Sequence, residues 1–287
     1  VLAYLTRGLN QSENNGIAEM TWVATALRSK LALCAGDMEY AQRLTSGMLQ
    51  SLDPEHQPQL YEGVTAFSCW LSLYSNEIGR IRRWLETAPD ETVEFCTLNR
   101  YFYMVKIYCY AALGKHTDAL MLISRMMVYA DYAQRTYIRL ECGLLRAIVM
   151  RRTGSDWKED FLQVLSAISQ YRFVPIISEK GAAILPLLTE AKAAFCQRCP
   201  AAAAWFNQVL DRTMHMARLY PNYLKGTGID VSAFSDTALE VLRLQAAGYT
   251  TREIAQQLHI TQRTVKYHAS ENYRKLDARN LVEIGRA

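Results

Sequence analysis

The residues best suited to chemistry lie near the C-terminus, on one side of a single segment. Between Thr261 and Leu276, the residues Arg263, Lys266, Tyr267, Ser270 and Arg274 recur at three- and four-residue steps. Val265, Ala269, Tyr273 and Leu276 recur by the same steps on the opposite side. On a helix the first set makes a cationic, hydrogen-bonding stripe without a carboxylate, with Glu271 off its centre. Cations of this kind bind phosphates, and long polar side chains on the same face reach base edges. The chemistry is recognition of a polyanion, without bond making. Nothing else in the chain competes with it. Cys196-Gln197-Arg198-Cys199 is a lone C-x-x-C, read as two helix-end thiols because no second pair accompanies it. The five His form no ligand cluster and no H-E-x-x-H occurs. Asp90-Glu91 and Glu159-Asp160 are adjacent pairs, whose side chains point apart. No G-x-x-x-x-G-K-[ST] loop is present to cradle a triphosphate. The expectation is no enzymatic activity, no cofactor and no metal site.

The elements that position the stripe can be read upstream of it. Pro221, Gly226 and Gly228 interrupt the helical pattern, so residues 220–233 read as a linker and residues 234–287 as a compact unit of short helices. The first helix runs from about Ser235 to Ala247, with Ser235 as N-cap and Gly248 ending it. Thr250-Thr251-Arg252-Glu253 is a capping box that opens the second helix. Ile254, Ala255 and Leu258 then face inward, and His259-Ile260 makes a tight turn with Ile260 at the corner. Thr261 caps the third helix, which bears the stripe. A short helix, a three-residue turn and a polar-faced helix make the geometry that enters a major groove.

The run from Gly248 to His268, followed by Tyr273-Arg274-Lys275-Leu276, closely resembles the LuxR-type helix-turn-helix. The resemblance implies a four-helix DNA-binding domain that often pairs through its last helix, here about Arg279 to Arg286. Carried over by position, it places Lys266, Tyr267 and Ser270 against bases and Thr251, Thr261, Arg263 and Thr264 against phosphates. Arg274 and Lys275 complete the candidate DNA-binding set. The sequence departs from the family pattern in several places. Ala238 replaces the Glu of a first-helix capping box, Ser270 stands where Lys or Arg is common, Asn272 takes an apolar position, and Asp277 replaces a Gly.

Composition is compatible with this reading without deciding it. The chain has 287 residues, enough for about two domains. It is 50% hydrophobic and 21% charged, which excludes bulk disorder. The net charge is only +4, so placement of cations matters more than their number. Within 234–287, five of eight basic residues are Arg263, Lys266, Arg274, Lys275 and Arg279. No apolar run is long enough for a membrane span, and the seven scattered Cys suit a reducing compartment. The start, Val1-Leu2-Ala3-Tyr4, suggests a fragment, not a signal peptide.

Residues 1–219 repeat themselves. Long helix, turn and shorter helix recur, with breaks at Gly36-Asp37, Ser75-Asn76, Gly114-Lys115 and Gly154-Ser155, about 39 residues apart. In the first, Ile17, Met20, Val23, Ala24, Leu27 and Leu31 form the apolar stripe. A fifth pair runs from about Ile176 to Leu219, broken at Cys199-Pro200. The segments 35–41 and 113–120 resemble the inter-helix turn of tetratricopeptide repeats. The fold expected is all-α: a tetratricopeptide-like superhelix followed by the small DNA-binding domain. Such arrays bind partners on a concave face. Tyr101, Phe102, Tyr103, Tyr108 and Tyr110, with Trp70, Trp84 and Trp157, read mainly as core. Arg80, Arg82 and Arg83 read as a solvated face.

This layout resembles the C-terminal part of a MalT-like regulator, in which a large ATPase module precedes the repeats. The resemblance implies a cytoplasmic bacterial transcription regulator. Its repeats sense a small-molecule or protein effector, and its last domain binds double-stranded promoter DNA as a homodimer. RNA polymerase is a further candidate partner. The alternative reading is a protein-interaction scaffold whose helix-turn-helix no longer binds DNA.

Overall fold

A computed structural model describes residues 2–91, 95–225 and 234–275; the side chains of Leu2, Glu13, Arg274 and Lys275 lie outside that description. The described residues are helical and contain no strand. Two compact units divide near Lys225.

The first unit is a run of antiparallel helical hairpins. In chain order its helices are α1 (Leu2–Asn14), α2 (Ala18–Cys34), α3 (Met38–Ser51), α4 (Pro58–Ser72), α5 (Ile78–Thr87), α6 (Arg100–Ala112), α7 (His116–Tyr132), α8 (Thr136–Arg152) and α9 (Lys158–Tyr171). The one-turn α10 (Pro175–Ser178) then leads to α11 (Gly181–Arg198) and α12 (Ala203–Leu219). Left-handed residues stand at the predicted breaks: Gly36 (φ 84°), Asn76 (56°), Gly114 (74°) and Gly154 (72°). Such a residue turns the chain while later amides cap the helix's last carbonyls, as Asp37 N–H does to Ala32 O at 2.9 Å. Gly36 is doubly constrained, because a Cβ there would sit 2.9 Å from Leu219 Cδ2. Gln134 (φ 53°) makes an equivalent turn between α7 and α8. It carries no glycine, and the sequence reading did not mark it.

Two features differ from the sequence reading. The stripe Ile17, Met20, Val23, Leu27 and Leu31 is 40–57% exposed. It is Ala24, Thr25, Ser29, Ala32 and Leu33 that α2 buries. Small residues let α2 approach its neighbours closely, so the bulky row is left on the side that carries Lys30. Residues 220–225, read as the start of a linker, belong to the first unit. Tyr223 and Leu224 are each 1% exposed, and the Tyr223 ring stacks on Tyr74 at 4.1 Å. Tyr220 donates its hydroxyl to Leu33 O at 2.8 Å. Pro221 broke the helical pattern without ending the core, because aromatic side chains on either side of it carry the burial.

Much of the side shared by the first helices of successive hairpins is filled by the chain itself. Tyr74 donates to the Glu179 carbonyl at 2.9 Å, and Lys30 pairs with the Glu179 carboxylate at 3.1 Å. Lys180, 1% exposed, reaches Glu141 at 3.3 Å and Ile176 O at 2.8 Å. Tyr108 donates to the same Glu141 oxygen at 2.5 Å. A buried ammonium is tolerated when its charge and its hydrogens are met in this way. Burial raises the Tyr74, Tyr108 and Tyr223 phenols far above their ordinary range, so these groups remain neutral hydrogen-bond donors. Of the α6 aromatics, Tyr103 and Tyr108 are buried, Phe102 and Tyr110 are half-buried, and Tyr101 remains exposed. Trp70, Trp84 and Trp157 are buried.

The second unit contains α13 (Asp236–Ala246), α14 (Thr251–Gln257) and α15 (Gln262–Lys275). Among the described residues its apolar cluster is Val241, Leu244, Ile254, Ala255, Val265 and Ala269, flanked by Leu258, Ile260 and Tyr273. The fourth helix expected from about Arg279 to Arg286, with Leu276 and Asp277, lies outside the described residues.

Candidate nucleic-acid interface

Local signals fix each helix of the second unit. Ser235 caps α13 by accepting the Ala238 amide at 3.2 Å. Gly248 (φ 89°) ends α13, with Tyr249 N–H on Leu244 O at 3.1 Å. The capping box on α14 is complete. Glu253 accepts the Thr250 amide at 2.8 Å and hydroxyl at 2.7 Å, while the Glu253 amide reaches back to Thr250 Oγ1 at 3.4 Å. These bonds hold the Glu253 carboxyl below its ordinary range.

The turn between α14 and α15 is a helix-ending motif in its own right. His259 is left-handed (φ 54°), its amide bonds Gln256 O at 3.4 Å, and the Ile260 amide bonds Ala255 O at 3.0 Å. The reversal places Ile260 against the core and releases Thr261 to cap α15. Thr261 Oγ1 accepts the Thr264 amide at 3.1 Å, and the two hydroxyls lie 2.8 Å apart.

On α15 the two predicted sides separate. Val265 and Ala269 are buried and Tyr273 packs against them. Arg263, Lys266, Tyr267 and Ser270 are exposed, Tyr267 at 63%. These four span about 10 Å of helix at 1.5 Å per residue, without an intervening carboxylate. Thr261 and Thr264 sit at the positive end of the helix, where unpaired amides and the dipole favour an anion. Thr251 is half-buried at the start of α14. The backbone of α15 extends through Arg274 and Lys275, but their side chains lie outside the described residues. Arg252 and Gln256 are exposed one turn apart on α14.

Asn272 is the departure that the structure explains. It is fully buried and donates Nδ2 to Ala238 O at 2.7 Å, tying α15 to the first turn of α13. That turn is the one in which Ala238 replaces the expected glutamate. The Asn272 Oδ1 has no partner among the described residues.

Residues 232–286 match the family model described as bacterial regulatory proteins, luxR family. The C-terminal unit is a LuxR-type helix-turn-helix domain. It is the DNA-binding module of a transcription regulator. No curated protein and no solved structure matches the chain. Among the described residues no helix is long and apolar enough to cross a membrane.

Proposed function

We propose that the chain is a bacterial, cytoplasmic transcription regulator of MalT-like layout. A tetratricopeptide-like repeat unit receives an effector or partner protein and controls promoter binding by the LuxR-type domain. The observation that carries this reading is the exposed, carboxylate-free row Arg263, Lys266, Tyr267 and Ser270 on α15. In this reading Lys266, Tyr267 and Ser270 face base edges. Thr251, Thr261, Arg263 and Thr264 hold phosphates, with Arg274 and Lys275 beside them. One domain offers few phosphate contacts, so two act together on two half-sites. RNA polymerase is the natural further partner at a promoter. Control by the repeats is supported by the burial of Tyr223 and Leu224 in the repeat core, which anchors the chain about ten residues before Phe234.

Selection of bound fragments from a random DNA pool, with and without cell extract, tests the proposal. A recovered, two-fold symmetric site whose affinity falls steeply with salt is the expected result. Lys266→Ala should weaken specific binding by roughly 1–3 kcal/mol and leave the helical circular dichroism unchanged. Failure to retain any fragment at low salt would favour the scaffold reading instead.

A further inference from the structure

The outer side of α7 bears a row of apolar side chains that stays exposed among the described residues. Met121 is 57% exposed, Val128 70% and Tyr132 91%, with half-buried Arg125 between them. Leu98, 79% exposed, lies on the 3-10 turn Thr97–Asn99. Beside the row runs a shallow groove of about 470 Å³, lined by Phe95, Thr97, Ser124, Arg125, Val128 and Tyr129, with Tyr132 at its edge. Arg125 is the one charged residue of that lining, and it is already engaged. Its guanidinium donates to the Glu91 carbonyl and lies 5.2 Å over the Phe95 ring. The face is thus apolar and electrically neutral, which disfavours DNA or any strongly charged partner.

We infer that this face pairs with the same face of a second copy of the chain, α7 against α7 in antiparallel orientation. The row Met121, Arg125, Val128, Tyr132 has steps of four, three and four residues, the same read in either direction. A two-fold axis between residues 126 and 127 therefore sets Met121 against Tyr132 of the second copy and Arg125 against Val128 of the second copy. Thioether–aromatic contacts of the first kind are favourable, and self-complementarity is what a closed dimer requires. Charge agrees. Half-buried Asp118 lies one turn before Met121, and exposed Arg135 caps α8 just past the turn that follows Tyr132, where Asp131 is already paired with Arg139 at 2.5 Å. Antiparallel pairing brings Asp118 to the Arg135 end of its partner. Area agrees too. Leu98, Met121, Val128 and Tyr132 offer roughly 500 Å² of apolar surface. A standard interface buries about 800 Å² per partner, of which about 65% is apolar in homodimers.

The test is the mass of the full chain in solution without DNA, by sedimentation equilibrium across a concentration series into the micromolar range. A mass near twice 32.7 kDa is expected. Val128→Glu and Met121→Glu should each weaken association by about 100-fold, two 1.4 kcal/mol steps, with unchanged tryptophan fluorescence as the control for folding. Asp118→Arg or Arg135→Asp alone should weaken pairing, and the two together should restore it. A chain that stays monomeric throughout overturns the inference. So does a dimer indifferent to Val128→Glu and Met121→Glu, which would place association elsewhere, or a charge swap that fails to restore pairing, which would exclude the antiparallel register.

Discussion

Replacing Asn272 by leucine should make the LuxR-type domain more stable, although it removes a short hydrogen bond. Asn272 Nδ2 donates to Ala238 O at 2.7 Å, a contact that contributes about 1 kcal/mol net. Against this, Oδ1 is buried without a partner among the described residues, and an orphaned acceptor costs about 1–3 kcal/mol. Leucine relieves that cost and adds apolar contact with the core, worth about 1 kcal/mol less some strain from its different shape. The carbonyl of Ala238 remains in the α13 ladder, so little is lost on that side. The balance is a gain of about 1–2 kcal/mol, or a rise of roughly 4–8 °C in Tm for each kcal/mol in a domain of this size. Asn272→Asp is the paired control. It buries a carboxylate opposite a carbonyl and should cost about 3–5 kcal/mol. All five tryptophans, at 22, 70, 84, 157 and 205, belong to the repeat unit. Their fluorescence therefore reports that unit alone. Amide hydrogen exchange of peptides from α13 and α15 reads the domain while tryptophan emission monitors the rest. Faster exchange in Asn272→Leu than in the parent, or an aspartate variant as protected as the parent, would refute the reasoning.

Three further outcomes follow from the geometry. Thr250→Ala should lower the Tm of the domain by roughly 5 °C and flatten its acid dependence. The folded Glu253 carboxyl titrates below its ordinary value, so its contribution is complete above the unfolded value of about 4.3 and is lost as pH falls through the lower folded value; a pH series of thermal melts reads this. His259→Val, a β-branched side chain at φ 54°, should cost the domain about 1–2 kcal/mol, whereas His259→Gly should cost nothing measurable by the same exchange assay. Tyr223→Ala should destabilise the repeat unit by about 3–5 kcal/mol in urea titrations followed by tryptophan emission, and should raise protease cleavage at residues 220–233.

What the sequence made legible, and what it hid, divides along the range of the interactions. The caps at Ser235, Thr250 and Thr261 and the Gly248 stop each involve residues a few positions apart, so they are readable in order along the chain. The two sides of α15 follow from helical period alone. The repeat breaks at Gly36, Asn76, Gly114 and Gly154 were equally local, whereas the Gln134 turn lacks the residue type that announces a left-handed conformation. Long-range packing was not legible. The side of α2 that is buried depends on how closely small residues such as Ala24, Ser29 and Ala32 let other helices approach, and periodicity alone chose the bulkier side. Residues 220–225 read as a linker because Pro221 stops a helix. Nothing local reveals that Tyr220 and Tyr223 fit against Leu33 and Tyr74, well over a hundred residues earlier. Asn272 was recognised as a polar residue at an apolar position, but its partner on α13 is a contact that only the fold supplies.

The same division accounts for how the LuxR-type domain keeps its working side free. Among the described residues the domain's apolar cluster is small, six buried side chains and three partly buried ones, and fixing the arrangement of its short helices takes more than that cluster. Caps and left-handed turns do that work without using side chains from the outward side of α15. Val265, Ala269, Asn272 and Tyr273 seat the helix, and the exposed Arg263, Lys266, Tyr267 and Ser270 take no part in that packing. Residues without a packing role can change with little cost to the fold. In the proposed reading, substitutions at 266, 267 and 270 change which site is recognised, whereas substitutions at 250, 259 or 272 act on the stability of the domain.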